Sequence, residues 1–222
     1  FLCYMAFYSC TNKKHQDFNF IVAGHAYGAP GVQNNPFHPP FMNYLEKETD
    51  STISLAVLTG DIVQESSDTS FDKVQNYIQN FPFPFHIAPG NHDLNDMNSY
   101  TSHFGKTDYH FEFNNNLFYI VDLLNSGWNF TDQHIGEIQQ LVRKNDYDNV
   151  FIFTHHISWH NLDKTPQIIP NSLYARNDKL NFYTSILPKL VVLKIPIYLF
   201  GGDVGATPDG SSICIHQYQN VH

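Results

Sequence analysis

The chain has 222 residues, and its composition excludes several classes of protein. Apolar residues make up 42% of the sequence, enough for one sizeable α/β core, so the length does not require a second domain. There are 21 acidic residues against 12 basic ones, a formal net charge of -9, and no stripe of Lys and Arg that would neutralise a run of phosphates. We therefore do not expect polymeric nucleic acid as a substrate.

The N-terminal segment, residues 1–17, looks like the end of a bacterial lipoprotein signal peptide with its linker. Residues 1–9 are apolar and aromatic, Cys10 follows, and residues 11–17 are abruptly polar. In this interpretation Cys10 carries a lipid anchor that tethers the protein to a membrane of the cell envelope or periplasm. The alternative is a buried first strand with an ordinary cysteine, for which a cytoplasmic location is expected. The three cysteines form neither a metal-binding spacing nor a disulfide framework.

Strand-like apolar runs are followed at five places by turns that carry candidate metal ligands. In chain order these turns contain His25 and Tyr27, then Asp61, then Asn91, His92 and Asp93, then His155 and His156, and finally Asp203. Ligands bind at the carboxyl ends of strands in open α/β sheets. Carboxylate, amide and imidazole groups together can hold divalent metal ions. Gly-Asp and Gly-Asn pairs are also common in ordinary turns, which would explain the turn at 60–63 or the turn at 90–93 if each were taken alone.

Helical periodicity predicts two scaffold helices between these turns. Residues 70–80 place their apolar side chains on one face, and the pattern ends before Pro82. Residues 131–144 repeat that pattern, with Thr131 as the candidate N-cap. Both helices are expected to cover a sheet and to carry no chemistry.

A hairpin and two irregular stretches complete the sequence pattern. Residues 109–113 and 117–123 flank three consecutive asparagines, which is typical of a β-hairpin. Residues 36–40 and 159–170 are rich in proline and aromatic residues. Loops of this kind either form the walls of a site or are solvated connections, and the sequence leaves both open.

The order of the five turns resembles that of the calcineurin-like metallophosphoesterases. That family typically reads Asp-x-His, Gly-Asp, Gly-Asn-His-Asp/Glu, one or two His, and Gly-His-x-His, each at the end of a strand. This chain reads Gly-His-Ala-Tyr-Gly at 24–28, Gly-Asp-Ile-Val at 60–63, Gly-Asn-His-Asp at 90–93, Thr-His-His at 154–156 and Gly-Asp-Val-Gly at 202–205. The resemblance implies an α/β fold for residues 18–222: a four-layer α/β/β/α sandwich of two packed sheets flanked by helices. Members of the family usually continue beyond a strand such as 212–218, so a fold shortened at its C-terminus is expected.

The first and last segments depart from the family pattern. His25 stands where the family has Asp, and Tyr27 stands where it has His. In the last segment Asp203 replaces the first His and Gly205 replaces the second, and a glycine has no side chain to offer a metal. These departures weaken one part of the expected metal site more than the other.

The resemblance implies two metal subsites that share Asp61. One subsite consists of Asp61, Asn91, His155 and Asp203, and the other of His25 and Asp61, with Tyr27 as a further candidate. His156 could replace His155 as a ligand or could contact the substrate. We expect one divalent ion, Mn, Fe, Zn or Mg, to bind tightly and a second to bind more weakly.

The resemblance also implies a metal-dependent hydrolase that cleaves phosphate monoesters or diesters with a metal-activated water. Its substrate would be a phosphorylated small molecule. His92 is expected to protonate the leaving oxygen or to stabilise charge in the transition state, with Asp93 orienting its ring. The alternative is a catalytically impaired module that binds a phosphate or a sugar, because two of the five segments are altered. A Cys or Ser hydrolase would need a nucleophile motif, which the sequence lacks.

Overall fold

Strands alternate with helices along the computed structural model, which describes residues 17–28, 35–47, 53–165, 167–206 and 217–222. The strands are β1 (Asn19–Ala23), β2 (Ile53–Leu58), β3 (Phe85–Ile87), β4 (Tyr109–Phe113), β5 (Asn116–Ile120), β6 (Asn149–Thr154) and β7 (Ile197–Gly201). The helices are α1 (Pro39–Lys47), α2 (Asp68–Ile78), α3 (Met97–Phe104), α4 (Asp132–Lys144) and α5 (Leu187–Val191). A 3₁₀ turn (Asp93–Asp96) precedes α3, and a π-helical turn (Phe182–Ile186) precedes α5. Each strand predicted before a candidate ligand turn is present.

The strands form two sheets whose carboxyl ends carry the candidate turns. One sheet has three parallel strands in the order β1-β2-β3, and the other has four in the order β4-β5-β6-β7, with only β4 antiparallel to its neighbour. In the first sheet Leu58 pairs with Ala23 on one side and with Ile87 on the other. The last residues of these strands therefore lie side by side, and the turns that follow them emerge at the same edge.

Alternating side chains along each strand divide the core into layers. In β2, Leu55 and Val57 face the second sheet, whereas Ala56 and Leu58 face the helices that cover the first sheet. The second sheet alternates in the same way between the inter-sheet core and a core shared with α4 and α5. Because successive residues of a strand point to opposite faces, both sheets are buried on both sides. This arrangement confirms the predicted four layers, α/β/β/α.

Aromatic rings fill the space between the two sheets. The ring of Phe20 on β1 meets four rings of the second sheet edge to face, with centroids 5.2 to 6.2 Å apart. Those four rings belong to Phe118, Phe151, Phe153 and Phe200. Edge-to-face pairs are a favoured aromatic geometry and add to the stabilisation that burial provides. The packing fixes one sheet against the other and so fixes the two groups of strand ends relative to each other.

The two predicted helices are present, and each begins at an N-cap. The first starts two residues earlier than predicted, because the Ser67 side chain accepts a hydrogen bond from the Ser70 backbone N–H at 3.2 Å. The second begins after Thr131 as predicted, and Thr131 and His134 close a reciprocal capping box.

The hairpin is also confirmed, with β5 starting one residue before the predicted position. Asn114 and Asn115 adopt left-handed φ values of 45° and 63°, which asparagine tolerates in a tight hairpin turn. The irregular stretch predicted at 36–40 is wrong in its last two residues, because α1 begins at Pro39. Proline is tolerated in the first turn of a helix, where its missing N–H would have no intrahelical partner.

Some predictions fall outside the described residues. These are the lipoprotein-type segment up to residue 16 and most of the strand predicted at 212–218. Among the helices of the described ranges, none is both long enough and apolar enough to cross a bilayer.

Candidate metal centre

The turns after β1 and β2 hold each other in an unusual backbone conformation. His25 and Asp61 both have φ of 52°, in the left-handed region that side chains other than glycine rarely adopt. The His25 N–H donates to the Gly60 carbonyl at 3.0 Å, and the Tyr27 N–H donates to the Asp61 carbonyl at 3.1 Å. Left-handed backbone at ordinary residues clusters at functional sites, where surrounding contacts maintain it. The paired turns place the His25 and Asp61 side chains next to each other.

The carboxylate of Asp61 lies between two histidines, one on each oxygen. Its Oδ2 is 3.2 Å from His25 Nδ1, and its Oδ1 is 3.5 Å from His155 Nε2. Oδ1 also accepts a hydrogen bond from the His92 backbone N–H at 3.2 Å. The side chain is almost fully buried. Asp61 therefore stands in a position from which it could bridge two ions.

His155 is oriented by a backbone carbonyl. Its Nδ1 donates to the Thr59 carbonyl at 2.9 Å, which leaves the lone pair of Nε2 directed at Asp61 Oδ1 and, at 3.8 Å, at Asp203 Oδ1. Metal-binding histidines commonly donate their other ring N–H to a carbonyl in this way. The absence of a side chain at Gly60 makes room for the ring, since a Cβ there would lie 2.4 Å from His155 Nδ1. It is His155, and not His156, that faces both carboxylates.

Unpaired buried atoms at this centre fit a cation. His155 Nε2, His25 Nε2 and Asp203 Oδ2 are buried and have no hydrogen-bond partner. Two carboxylates facing an imidazole lone pair repel it unless a proton or a cation lies between them. Ligand atoms of one tetrahedral zinc ion lie about 3.4 Å apart, close to the 3.5 and 3.8 Å found around His155 Nε2. In the described part of the chain, no three or more His, Cys, Asp or Glu side chains form a group that could hold a metal ion as they are placed.

The pKa values in the centre reflect the same electrostatics. Burial would raise the pKa of Asp61, but His155, together with a hydrogen bond from His25, lowers it to about 2. For Asp203, burial raises the pKa to about 6 even though His155 acts in the opposite direction. Burial would lower the pKa of His155, and the charges of Asp61 and Asp203 outweigh it and raise that pKa. The two carboxylates therefore favour positive charge at the position of His155 Nε2.

The turn after β7 brings Asp203 across from the second sheet. The Asp203 N–H donates to the His155 carbonyl at 3.0 Å, and the Asn171 N–H donates to the Asp203 carbonyl at 2.9 Å. Close approach of the backbone requires glycine here, since a Cβ at Gly202 would lie 1.7 Å from the Thr59 carbonyl oxygen. Two strand-end turns and the segment around 171 thus fix Asp203.

Asp93 has a different role from the predicted one. It is fully buried, and its carboxylate accepts hydrogen bonds from the backbone N–H groups of Ile62 at 2.9 Å, Val63 at 3.2 Å and Gly90 at 2.8 Å. Burial, followed by the charge of Asp61, raises its pKa to about 7. The prediction that Asp93 orients the His92 ring is wrong, because the whole carboxylate is used to join the turns after β2 and β3.

The ring of His92 is instead oriented by the Gln64 carbonyl, 2.7 Å from its Nδ1. Asn91 lies between Gly90 and His92, both of which touch Asp61: a Cβ at Gly90 would lie 2.2 Å from Asp61 Oδ1. The turn at 90–93 therefore runs along the Asp61 carboxylate. This course places Asn91 and His92 beside the predicted metal ligands.

Tyr27 and His156 pack against different residues of the centre. The Tyr27 ring lies between the rings of His25 and His92, at centroid distances of 4.4 and 5.3 Å, and burial, with the nearby carboxylates, raises its pKa to about 12. His156 is buried between His155 at 4.9 Å and Trp128 at 5.2 Å, and burial lowers its pKa to about 3. A neutral phenol and a neutral imidazole are expected at these positions. Gly205 is exposed and has φ of 86°.

The two packed sheets and the strand-end centre define a metallophosphoesterase-type fold. The family model for calcineurin-like phosphoesterases matches residues 36–204, more than half of the chain. The chain belongs to the calcineurin-like phosphoesterase family.

A solved structure with a TM-score above 0.5 agrees with this assignment at the level of the fold. The chain is similar to a dimetal phosphatase from Danio rerio, with 13% identity over 84% of this chain and 81% of that one and a TM-score of 0.55. It is less similar to Vps29 from Chaetomium thermophilum, with 15% identity over 61% of this chain and 60% of that one and a TM-score of 0.36. No curated protein matches the sequence. At these identities the likeness shows the fold alone.

Proposed function

We propose that this protein is a metal-dependent phosphoesterase that hydrolyses phosphorylated small molecules. The observation that carries the proposal is the Asp61 carboxylate, which presents one oxygen to His25 and the other to His155, with Asp203 beside His155. Membership of the calcineurin-like phosphoesterase family and the fold shared with a dimetal phosphatase support it. The donor set of carboxylates and imidazoles suits Mn, Fe, Zn or Mg.

Two groups of residues would hold the metal ions. Asp61, Asn91, His155 and Asp203 would hold the tighter one, and Asp61 with His25 would hold the weaker one. Divalent ions at these positions lower the pKa of a water molecule and neutralise charge on the phosphoryl oxygens. The protein's contribution is to fix the ligands: the Thr59 carbonyl orients His155, and the Asn171 N–H holds the backbone carbonyl of Asp203.

His92 would act on the leaving group. Its Nδ1 is bound to the Gln64 carbonyl at 2.7 Å, so Nε2 is the nitrogen that remains to meet the substrate. A proton held on Nε2 can be passed to the leaving oxygen, or can stabilise the charge that develops on it. The backbone N–H of His92 donates to Asp61 Oδ1, which ties the position of this ring to the metal centre.

A second candidate function is a binding module with little turnover. It is favoured by the His25 side of the centre, where Tyr27 is a poor ligand because its pKa is about 12 and where Gly205 offers no side chain. Such a module would retain phosphate binding at the His155 side. The two candidates differ in whether a phosphate ester is cleaved.

The test combines metal binding with hydrolysis. Mn²⁺ is titrated into metal-free protein by calorimetry, and p-nitrophenyl phosphate and bis-p-nitrophenyl phosphate are then assayed with the loaded protein. We expect one tight ion per chain, hydrolysis of at least one ester, and loss of both in Asp61→Asn. Glu65→Gln, at an exposed carboxylate in the same turn, is the matched control and should behave as wild type. Metal binding without hydrolysis would favour the binding module, and wild-type metal content in Asp61→Asn would contradict the proposed centre.

A further inference from the structure

The segment that follows β6 contains a second group of buried polar side chains. We propose that Ser158, His160 and Arg176 bind an additional anionic group of the substrate, a carboxylate or phosphate next to the ester that is cleaved. This inference rests on the proposed function and narrows the substrate to phosphoesters that carry a second anionic group.

Unpartnered buried atoms are concentrated in this segment. Outside the metal centre, all the buried side-chain nitrogens and oxygens without a hydrogen-bond partner in the described parts of the chain belong to residues 156–181. They are His156 Nδ1 and Nε2, Ser158 Oγ, His160 Nδ1, Asn171 Nδ2, Arg176 Nε and Asn181 Oδ1. Leaving one such atom unsatisfied costs about 1–3 kcal/mol. Several of them in one segment indicate a group that is bound there.

Ser158 and His160 follow the predicted metal ligand His155 closely in the chain. They follow His155 in a tight turn, in which the Ser158 N–H donates to the His156 carbonyl at 3.0 Å and the His160 N–H donates to the Ile157 carbonyl at 2.9 Å. Ser158 is 0% exposed and His160 is 7% exposed. Their side chains are therefore a few residues from the predicted metal ligand and are shielded from solvent.

Arg176 is brought to the same region by contacts to the turn around Trp128. The indole N–H of Trp128 donates to the Tyr174 carbonyl at 3.0 Å, and the Asn177 N–H donates to the Gly127 carbonyl at 3.2 Å. These two bonds hold the chain on either side of Arg176 over Trp128, whose ring contacts His156 at 5.2 Å. The charge of Arg176 also contributes, after burial, to lowering the pKa of His160, which places the two side chains within electrostatic range.

The charge of Arg176 is not neutralised by a neighbouring carboxylate. Among the described residues, no Asp or Glu oxygen lies within 4.0 Å of the guanidinium, although the whole chain carries a net charge of -9. Its side chain donates through Nη1 to the Asn177 carbonyl at 3.0 Å, and Nε is buried without a partner. A guanidinium presents several donors in a planar fork that suits carboxylate and phosphate groups. The His160 imidazole lies within electrostatic range of this guanidinium, and the unpaired Ser158 hydroxyl is two residues from His160 in the chain, so the group would favour an anion.

The experiment compares substrates that differ only in a second anionic group. One pair is glycerol 2-phosphate and 2-phosphoglycerate, and the other is adenosine 3′-phosphate and adenosine 3′,5′-bisphosphate. We expect wild type to prefer the member with the second anionic group, in at least one pair, by about tenfold or more. Arg176→Met should lower kcat/KM for that member by about 10- to 100-fold, because a hydrogen-bonded charge pair is lost, and should leave the other member within about twofold. Arg176→Lys keeps the charge and should retain part of the preference.

Lys179→Met is the matched control, because Lys179 is an exposed cation three residues further along the same segment. It should keep the wild-type preference. A second measurement is independent of turnover: inorganic phosphate is titrated into metal-free protein, and Arg176→Met should weaken its binding about tenfold or more. Thermal unfolding of each variant shows whether the fold is kept.

The outcomes separate the inference from the proposed function. Failure of wild type to cleave any of these esters or p-nitrophenyl phosphate contradicts the phosphoesterase, and the phosphate titration then decides the anion subsite alone. Hydrolysis without preference, together with phosphate binding that is unchanged in Arg176→Met, overturns the inference and means that ordered water alone satisfies these polar atoms.

Discussion

The two sides of the Asp61 carboxylate differ in how their ligands are held. On one side, His155 is fixed through the Thr59 carbonyl, and Asp203 is fixed by backbone hydrogen bonds to His155 and Asn171. On the other side, His25 contacts Asp61 through Nδ1, and its buried Nε2 has no partner. A ligand whose second nitrogen is bound loses less conformational freedom when it binds a metal, and its orientation is set beforehand. The two ions should therefore differ in affinity, because their ligands differ in how firmly they are held as well as in number.

The backbone also differs between the two sides. His25 has a left-handed φ of 52°, whereas His155 directly follows the extended end of β6. A left-handed conformation costs an ordinary residue about 1–2 kcal/mol, which the hydrogen bonds between the turns after β1 and β2 must offset. The side with the better-supported ligands is thus also the side with less backbone strain.

The largest expected effect is a loss of turnover in a variant that keeps metal on both sides of the centre. His92→Ala should lower kcat by about 10²- to 10⁴-fold, the usual contribution of general acid catalysis. Bound metal, measured by elemental analysis, should not change, because the His92 ring is held by the Gln64 carbonyl and not by a metal ligand. Loss of metal together with activity would show that the His92 ring is a ligand, and wild-type turnover would show that it is structural.

Removing one histidine from each side tests this expected difference in metal affinity. His155→Ala should weaken the tight Mn²⁺ site by more than about 100-fold, since loss of a supporting partner alone costs 10- to 100-fold in metal sites. His25→Ala should change the tight site by less than about tenfold. Calorimetric titration of both variants decides this, and equal losses would mean that the two sides are equivalent.

Asp93 joins the turns after β2 and β3, and its replacement should reduce stability. Asp93→Asn keeps one acceptor oxygen but turns an amide N–H₂ towards a backbone N–H, so we expect unfolding to become easier by about 1–3 kcal/mol. Chemical denaturation of metal-free protein measures the change. Glu65→Gln removes an exposed charge from the neighbouring turn and should stay within about 0.5 kcal/mol of wild type. A similar small change in Asp93→Asn would contradict the joining role of this carboxylate.

The sequence predicts the strands, the helices and the order of the turns because apolar periodicity and capping residues carry that information locally. It does not predict which partners orient the site. The Thr59 and Gln64 carbonyls fix His155 and His92, and every residue has a carbonyl, so no residue type marks them. Asp93 was assigned to the His92 ring from its place in the motif, whereas its contacts to Ile62 and Val63 depend on how two turns meet in space.

The sequence does not predict the polar group at 158–176 for a related reason. Arg176 lies 16 residues beyond His160, the three residues follow no periodic pattern, and the stretch at 159–170 is equally consistent with a solvated connection. The Trp128 contact to Tyr174 brings them together, and that contact joins residues separated by 46 positions. Only the folded chain shows that their polar atoms are buried and unpaired.

The smallest expected effect comes from improving the weaker side. His25→Asp with Tyr27→His restores the residues typical of the family at the first turn and replaces a phenol whose pKa is about 12 by an imidazole. Asp is among the residues that tolerate a left-handed φ, so the change at position 25 adds little strain. Gly205 is left unchanged, because its φ of 86° disfavours a histidine there. We expect the second Mn²⁺ ion to bind about tenfold more tightly in the double variant, with the first site within about threefold of wild type. If the second site is no tighter, the turn at 24–28 does not supply its ligands, and the weakness of that side must come from the turn after β7.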